Sequence, residues 1–378
     1  MLAKTPPMGW NSWNTFAENI SEDLLMETAD AMVSTGLRDA GYEYVVIDDC
    51  WSLRERGKDG RIVADPAKFP HGMKYLADYI HGKGLKFGMY SCAGTRTCAG
   101  YPSSFDHEFE DARMFAEFGV DFLKYDFCNK PKRADGPNLY HRMSLALKSS
   151  GRDILFSACN WGSDKVEEWI RSTGARMYRS TGDITDNFKS MSDIARSQIN
   201  KLAYSGPGCY NDMDMLVVGM HNRGNVATGG MTDDEYLFHF ALWCAMQSPL
   251  MIGCDVRGMG EATLRALTHP ELIRINQDEE ARPLFPVTGR GWPNKATDFV
   301  GFKHLAGGEF LLCAFNFAEH ERLLNVEFFD FGLPAASGRG LALRDVVTGE
   351  DIGVKSDYIR IPAPGHGFKM YRGKLVDL

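Results

Sequence analysis

The chain has 378 residues, 44% hydrophobic and 24% charged, an ordinary globular balance with material for a large core. A formal net charge of −8 argues against a nucleic-acid partner, and no run of about 18 or more apolar residues exists to cross a membrane. Nine cysteines without zinc-type CxxC pairs announce neither a metal cluster nor a disulfide framework, so most are expected as buried thiols.

Read in order, the chain alternates between two patterns. Behind Pro6-Pro7, the stretch MGWNSW opens a first short strand at residues 8–10. The segment before it has no apolar core of signal-peptide length, which leads to the expectation of a cytoplasmic protein. A helix follows with Ser21 as N-cap, Glu22 and Asp23 at its positive end, and an inner stripe of Leu24, Leu25, Thr28, Met32 and Val33. Residues 42–47 (YEYVVI) read as a buried strand ending at Asp48, Asp49, Cys50 and Trp51. A helix over 73–81, a strand over 86–90 and a helix over 105–118 come next. The run DFLKYDFC, residues 121–128, is a buried strand that places Lys124 and Asp126 on one side at its tip.

The alternation continues with strands at 154–159, before Asn160-Trp161, and at 177–181, before Asp183. Helices are expected from Ser163 and through Ile194 and Ile199. Residues 207–216, containing NDMDML, supply a seventh strand. Thr232 and Glu235 form a capping box, and 249–254 is the eighth strand. Some eight strand–helix units predict a (β/α)8 TIM barrel, since no strand is followed by a glycine fingerprint for a nucleotide. Asp48, Tyr90, Asp126, Asn160, Asp183 and Asp214 fall at or past strand C-terminal ends, the face where such barrels hold their sites. Beyond about residue 280 short strands with turn signals replace helical periodicity. The expectation is a catalytic barrel over 1–283 and an antiparallel β-sandwich domain over 284–378.

A pocket of carboxylates and aromatics with few histidines suggests sugar chemistry. Glycoside hydrolysis needs one carboxylate as nucleophile or base and another as proton donor, and aromatic faces cover the apolar side of a pyranose. Asp126 and Asp183 are the candidate pair. Lys124 beside Asp126 is expected to keep it ionised, and Arg179 shares the parity of Asp183. A network of structural ion pairs is the alternative. A metal reading of Asp48, Asp49, Asp212 and Asp214 lacks a ligand loop and faces the cations Lys124 and Arg179; no metal and no cofactor are expected. Thiol catalysis from Cys92, Cys98 or Cys128 lacks a histidine at the neighbouring strand ends.

MGWNSW, YVVIDDCW, KFGMYS, TCAGYPSSF, DFLKYDFC, YRSTGDI, YNDMDML and INQD, in this order, resemble glycoside hydrolase family 27, best known for α-galactosidases and α-N-acetylgalactosaminidases. The resemblance implies a (β/α)8 barrel with a C-terminal β domain and hydrolysis with retention. It implies Asp126 as nucleophile and Asp183 as acid/base, Trp10 as a wall against the sugar, Asp48 and Asp49 on the O4 and O6 hydroxyls, and Tyr90, Lys124, Arg179 and Asp214 as further ligands. It also implies a disulfide between Cys98 and Cys128, which sits uneasily with a cytoplasmic location.

Asn160 departs from the glutamate of many α-galactosidases. With the bulky Trp161 beside it, an amide at that position favours a 2-hydroxyl over a 2-acetamido group. The expected function is therefore a retaining exo-α-galactosidase acting on oligosaccharides or small molecules with terminal α-galactose. α-N-acetylgalactosaminidase, β-L-arabinopyranosidase and a non-catalytic sugar-binding barrel are the rivals. Aglycone, linkage and whether the protein is a homo-oligomer stay open.

Overall fold

The computed structural model describes residues 2–287 and 297–378. Eight parallel strands form the first sheet: β1 Met8–Asn11, β2 Tyr44–Val46, β3 Lys86–Cys92, β4 Phe122–Asp126, β5 Leu155–Cys159, β6 Met177–Arg179, β7 Tyr210–Asp212 and β8 Leu250–Ile252. From β1 to β7 each pairs with the next, and β8 pairs with β1. A parallel bridge between Leu216, just past β7, and Ile252 of β8 joins the two ends of the sheet, with the Leu216 amide donating to the Met251 carbonyl at 2.8 Å. The ring is thus the expected barrel. The strands are buried almost throughout, which is why they read as short apolar runs rather than alternating ones.

Helices α1 Glu22–Ser34, α2 Gly72–Gly82, α3 Glu108–Phe118, α4 Gly136–Ser149, α5 Val166–Thr173, α6 Phe188–Gln198, α7 Asp233–Ala245, α8 Glu261–Leu267 and α9 Pro270–Asn276 pack outside the strands. Ser21 caps α1 by accepting from the Leu24 amide, and the Thr232–Glu235 capping box opens α7. The sequence reading passed from 128 to 154 without a helix, yet α4 lies there. Its cues were present: Asp135 caps it, Pro137 sits in its first turn, and Leu139, Met143, Ala146 and Leu147 are buried. Strand β6 ends at Arg179, two residues earlier than expected, so Asp183 lies in a loop and strand parity does not orient it.

The C-terminal part is a β-sandwich. Strands β9 Asp298–Leu305, β10 Glu309–Asn316, β12 Arg339–Asp345, β13 Asp351–Lys355 and β15 Gly367–Asp377, with the short Phe285–Pro286 at one edge, make a six-stranded sheet. Strand β11 Arg322–Glu327 pairs with β14 Tyr358–Ala363 as a second, two-stranded sheet. Val300, Phe302, Leu312, Val326 and Ile361 fill the space between the sheets. The sequence reading missed β13 and β15, although β15 pairs with both β10 and β12 inside the large sheet. Lys369, Arg372, Gly373 and Lys374 break its apolar pattern.

The other face of the large sheet packs on the barrel. Phe299, Leu311, Phe315 and Met370 belong to the same apolar core as α7. This explains why α7 is buried nearly all round, from Tyr236 to Ala245, and lacks an amphipathic stripe: strands lie on one side of it and the sandwich on the other. Phe238 of α7, fully buried, stands edge-on to Phe315 and Phe317 with ring centroids 5.2 and 5.3 Å apart. Phe238→Ala is expected to cost about 3–5 kcal/mol, read as a lower urea midpoint. A loss below about 1 kcal/mol would mean that the two parts do not depend on this contact.

Candidate active site

The strand ends converge on one cavity of about 310 Å³ at the C-terminal face of the barrel. Its lining includes Asp48, Asp49, Tyr90, Cys98, Lys124, Asp126, Trp161, Arg179, Asp183 and Asp214. Asn11, Trp13, Asn14, Ile184, Thr185, Met215, Asn225, Val226 and Thr228 complete most of it.

The floor is an ion-pair cluster. Lys124 Nζ and Asn11 Nδ2 both donate to Asp48 Oδ2, at 2.8 and 2.7 Å. Burial works against the Lys124 charge, but Asp48 outweighs it and holds the ammonium protonated. Asp49 accepts from the amides of Cys50 and Ala99 at 2.8 and 3.0 Å, and burial nevertheless raises its pKa. Lys124 hydrogen-bonds Asp48 rather than Asp126; its charge still favours the ionised Asp126, as expected, but burial outweighs it. Asp126 instead accepts from the Tyr90 hydroxyl at 3.0 Å and from the Phe127 amide at 2.9 Å. Burial pushes Asp126 up to about 6, against the more distant charge of Lys124.

A second cluster centres on Arg179. Nη1 donates to Asp214 Oδ1 at 2.6 Å and Nη2 to Asp183 Oδ1 at 2.7 Å, so one guanidinium joins the β6 tip to two loops. Asp183 opens to solvent at the cavity mouth, with 79% of its side chain exposed. Partial desolvation raises its pKa, but Arg179 more than reverses this and leaves it below the ordinary carboxylate range. Asp214 adopts a φ of +84°, unusual for a residue with a side chain. Its carbonyl accepts from the Trp243 indole at 2.9 Å, and its Oδ2 from the Ile184 amide at 2.7 Å.

Trp10 and Asn160 are not part of the lining. Trp10 is fully buried, its indole donating to the Cys254 carbonyl at 2.8 Å. The indole that does line the cavity is Trp13, beyond the end of β1, as Asp48 and Asp49 lie beyond the end of β2. Asn160 is fully buried and donates from Nδ2 to the Ser163 carbonyl at 2.8 Å, bracing its own loop rather than meeting a substrate hydroxyl. Trp161 remains in the lining, edge-on to Phe127.

Cys98 and Cys128 are joined as a disulfide, their Cα atoms 5.1 Å apart, with Cys98 Sγ 3.6 Å from Asp126 Oδ2. Gly94 lets the chain pass: a Cβ there would meet the Cys128 carbonyl oxygen at 1.9 Å. One group of three acidic, cysteine or histidine side chains comes close together among the described residues. It is Cys98, Asp126 and Cys128, two of which form this bridge.

A (β/α)8 barrel holding carboxylates between indole walls at its strand tips is the architecture of a glycoside hydrolase. Residues 5–278 match the family model described as Alpha galactosidase A, and residues 300–372 match the model for the alpha galactosidase C-terminal beta sandwich domain. The chain is 41% identical over 371 residues to the alpha-galactosidase of Cyamopsis tetragonoloba, covering 98% of this chain and 86% of that one. Alpha-galactosidase I from Mortierella vinacea superposes with a TM-score of 0.89 at 33% identity, covering 98% of this chain and 97% of that one. The alpha-galactosidase of Saccharomyces cerevisiae with raffinose superposes with a TM-score of 0.88 at 30% identity, over 99% and 98% of the two chains. The chain belongs to the α-galactosidases of glycoside hydrolase family 27, and it is an enzyme of that class.

The electrostatics carry a stability consequence. Asp126 and Asp212 are each pushed up to about 6 by burial, well above the unfolded carboxylate value, and burial raises Asp49 and Asp214 as well. These carboxylates take up protons between about pH 6 and 4 that the unfolded chain does not, and their contribution to stability rises as pH falls through that window. Below it, the ion pairs that depress Asp183, Asp255 and Glu309 are lost and the trend reverses. Buried His239 works the other way over the same range: desolvation lowers it to about 3, so the unfolded imidazole takes up a proton below about pH 6.5 and the folded one does not. The carboxylate contribution is therefore read by comparison: on going from pH 8 to 5.5, Asp212→Asn is expected to gain less, or lose more, in melting temperature than the unsubstituted protein. Equal changes in the two would contradict the raised Asp212 carboxyl.

Proposed function

We propose that the enzyme is an exo-acting α-galactosidase that releases terminal α-D-galactosyl residues from oligosaccharides by retaining double displacement. The observation that carries the proposal is that one cavity holds Asp126 at its floor and Asp183 at its mouth, among hydroxyl-binding charges. The cavity is closed at the floor by the Asp48–Lys124 pair, which suits a single sugar ring entering end-on. Asp126 attacks the anomeric carbon while Asp183 gives its proton to the glycosidic oxygen, which leaves as an alcohol. Asp183 then takes a proton from water, the resulting hydroxide attacks the same carbon, and the bond to Asp126 breaks.

Asp48 and Asp49 offer acceptors for hydroxyls at the far end of the ring, and their short side chains leave room for the hydroxymethyl group of galactose. Trp161 occupies the side where an acetamide would project. The Saccharomyces relative solved with raffinose supports an oligosaccharide substrate. The Cys98–Cys128 bridge supports an oxidising compartment over the cytoplasm expected from the N-terminal residues.

The deciding experiment compares kcat/KM for nitrophenyl α-galactoside, α-N-acetylgalactosaminide and β-L-arabinopyranoside. Galactoside is expected to lead, arabinopyranoside to follow by about 10–200-fold, and the N-acetylated sugar to be cleaved hardly at all. A preference for the N-acetylated sugar would overturn the reading of Trp161. Asp126→Ala should abolish turnover on all of them, with azide restoring part of it and giving inverted product. Unimpaired turnover would remove Asp126 from the role.

The pH profile is a separate check. Double displacement needs Asp126 ionised and Asp183 protonated, whereas the empty site titrates in the reverse order, Asp183 first and Asp126 near 6. The productive protonation state is then a minor one, populated most between the two titrations. The alkaline limb of kcat/KM is expected near pH 6 and the acid limb below the ordinary carboxylate range. A profile still rising from pH 6 to 8 would show that the site does not titrate in this way.

A further inference from the structure

The proton donor is the marker of where the aglycone lies, because it must reach the glycosidic oxygen that joins the two halves of the substrate. Asp183 is 79% exposed, whereas the side chains of Asp48 and Lys124 are 3% and 19% exposed. The galactosyl ring therefore sits below Asp183 and the leaving group above it. The lining residues on that outer tier are Thr185, Asn225, Val226 and Thr228, none of which takes part in the charge clusters of the floor.

This tier is built rather than loose. Asp186–Asn187 pairs in parallel with Ala227–Gly230 as a two-stranded ribbon. Asp186, fully buried and three residues from the proton donor, accepts from the Tyr236 hydroxyl at 2.9 Å and the Asn222 amide at 2.7 Å. Asn187 Nδ2 donates to Thr228 Oγ1 at 2.8 Å. The Asn225 amide donates to the Asn14 carbonyl at 2.7 Å, so the ribbon rests on the loop after β1. Gly224 permits that approach: its φ is +76°, and a Cβ there would meet the Asn14 carbonyl oxygen at 2.6 Å. The exposed groups the ribbon offers are an amide and a hydroxyl, Asn225 and Thr228, with no aromatic or long aliphatic side chain among them.

We infer that this ribbon is the aglycone subsite, that it takes a second sugar ring rather than an apolar aglycone, and that Asp186 is its positioning residue. The inference rests on the reading of Asp183 as proton donor in an α-galactosidase. Hydroxyls of the second ring exchange hydrogen bonds with Asn225 and Thr228, while Asp186 fixes the ribbon relative to the loop that carries Asp183.

The test uses the full-length enzyme with an α-galactosyl hexose disaccharide and octyl α-galactoside. Both leaving groups are alcohols needing protonation, so their ratio isolates the aglycone contact from acid catalysis. Wild type is expected to favour the disaccharide, and Asn225→Ala/Thr228→Ala to reduce the ratio of the two kcat/KM values about 10-fold, the yield of two hydrogen bonds. Asp186→Asn should move the ratio in the same direction. Tyr236→Phe, which removes one of its two bonds, serves if that variant does not fold. A ratio that stays put while both rates fall would make the ribbon a structural element only and overturn the inference. Failure of wild type to cleave either galactoside, with turnover of another glycoside, would bring down the galactosidase reading and the inference with it.

Discussion

One buried guanidinium holds the outer half of the site together. Arg179 bonds Asp214 with one nitrogen and Asp183 with the other, and its side chain is only 7% exposed. A cation so placed is tolerable because two carboxylates compensate it; removing either would leave charge without its counterpart in a poorly hydrated space. The geometry reaches far from the pocket. Asp214 keeps its left-handed backbone under the Trp243 indole of α7, and Phe238 of the same helix is gripped by Phe315 and Phe317 of the sandwich. Sandwich, helix, strained aspartate, arginine and Asp183 thus form one mechanical series. The C-terminal sheet supplies no group to the pocket lining, yet it packs the helix that fixes Asp214.

The distribution of cations fits the division of labour proposed for the carboxylates. Lys124 bonds Asp48 and Arg179 bonds Asp183 and Asp214, which leaves Asp126 with a phenol and an amide as its hydrogen-bond donors. A carboxylate stabilised by an adjacent ammonium is a poorer nucleophile than one held by neutral donors, because attack must break the stronger attraction. The sequence suggests the opposite pairing, since Lys124 and Asp126 share a strand face. In the barrel, Lys124 also reaches across to the tip of β2, where Asp48 competes for it. Strand parity says which side a residue faces, and the neighbouring strand decides what it meets there.

Much of the fold was legible because parallel barrel strands are buried on both faces and announce themselves as apolar runs ending in polar residues. The misreadings have local causes. Trp10 and Trp13 belong to one motif, but Trp10 lies within β1 and its indole turns into the core toward Cys254, while Trp13 lies past the strand end. The rule that picked out Asp48, Asp126 and Asp183, all of which line the cavity, would have chosen Trp13. Asn160 obeys the rule and still misses the pocket, because its amide nitrogen is drawn to the Ser163 carbonyl three residues on, even though its Oδ1 is left buried without a partner. A short loop that must satisfy its own backbone can claim a side chain that the strand presents to the site. Strand β15 was overlooked for a different reason: basic residues and Gly373 interrupt its apolar pattern, so it does not read as a strand that the sheet encloses.

The ribbon of 186–187 and 227–230 was invisible to sequence patterning, since two residues on one side and four on the other carry no periodicity. What holds it are single polar contacts from Asp186, Asn187, Asn222 and Tyr236, residue types that mean nothing until the chain brings them together. The two tiers of the pocket therefore differ in kind. The charged groups of the floor stand at or just beyond strand tips, braced by the barrel itself. The groups inferred to face the leaving half stand on a loop pair held by Asp186 and its neighbours, and Asn225 and Thr228 take no part in the floor cluster. An enzyme that recognises one constant ring and must accommodate different things attached to it gains from that separation. The barrel face provides it without a further domain.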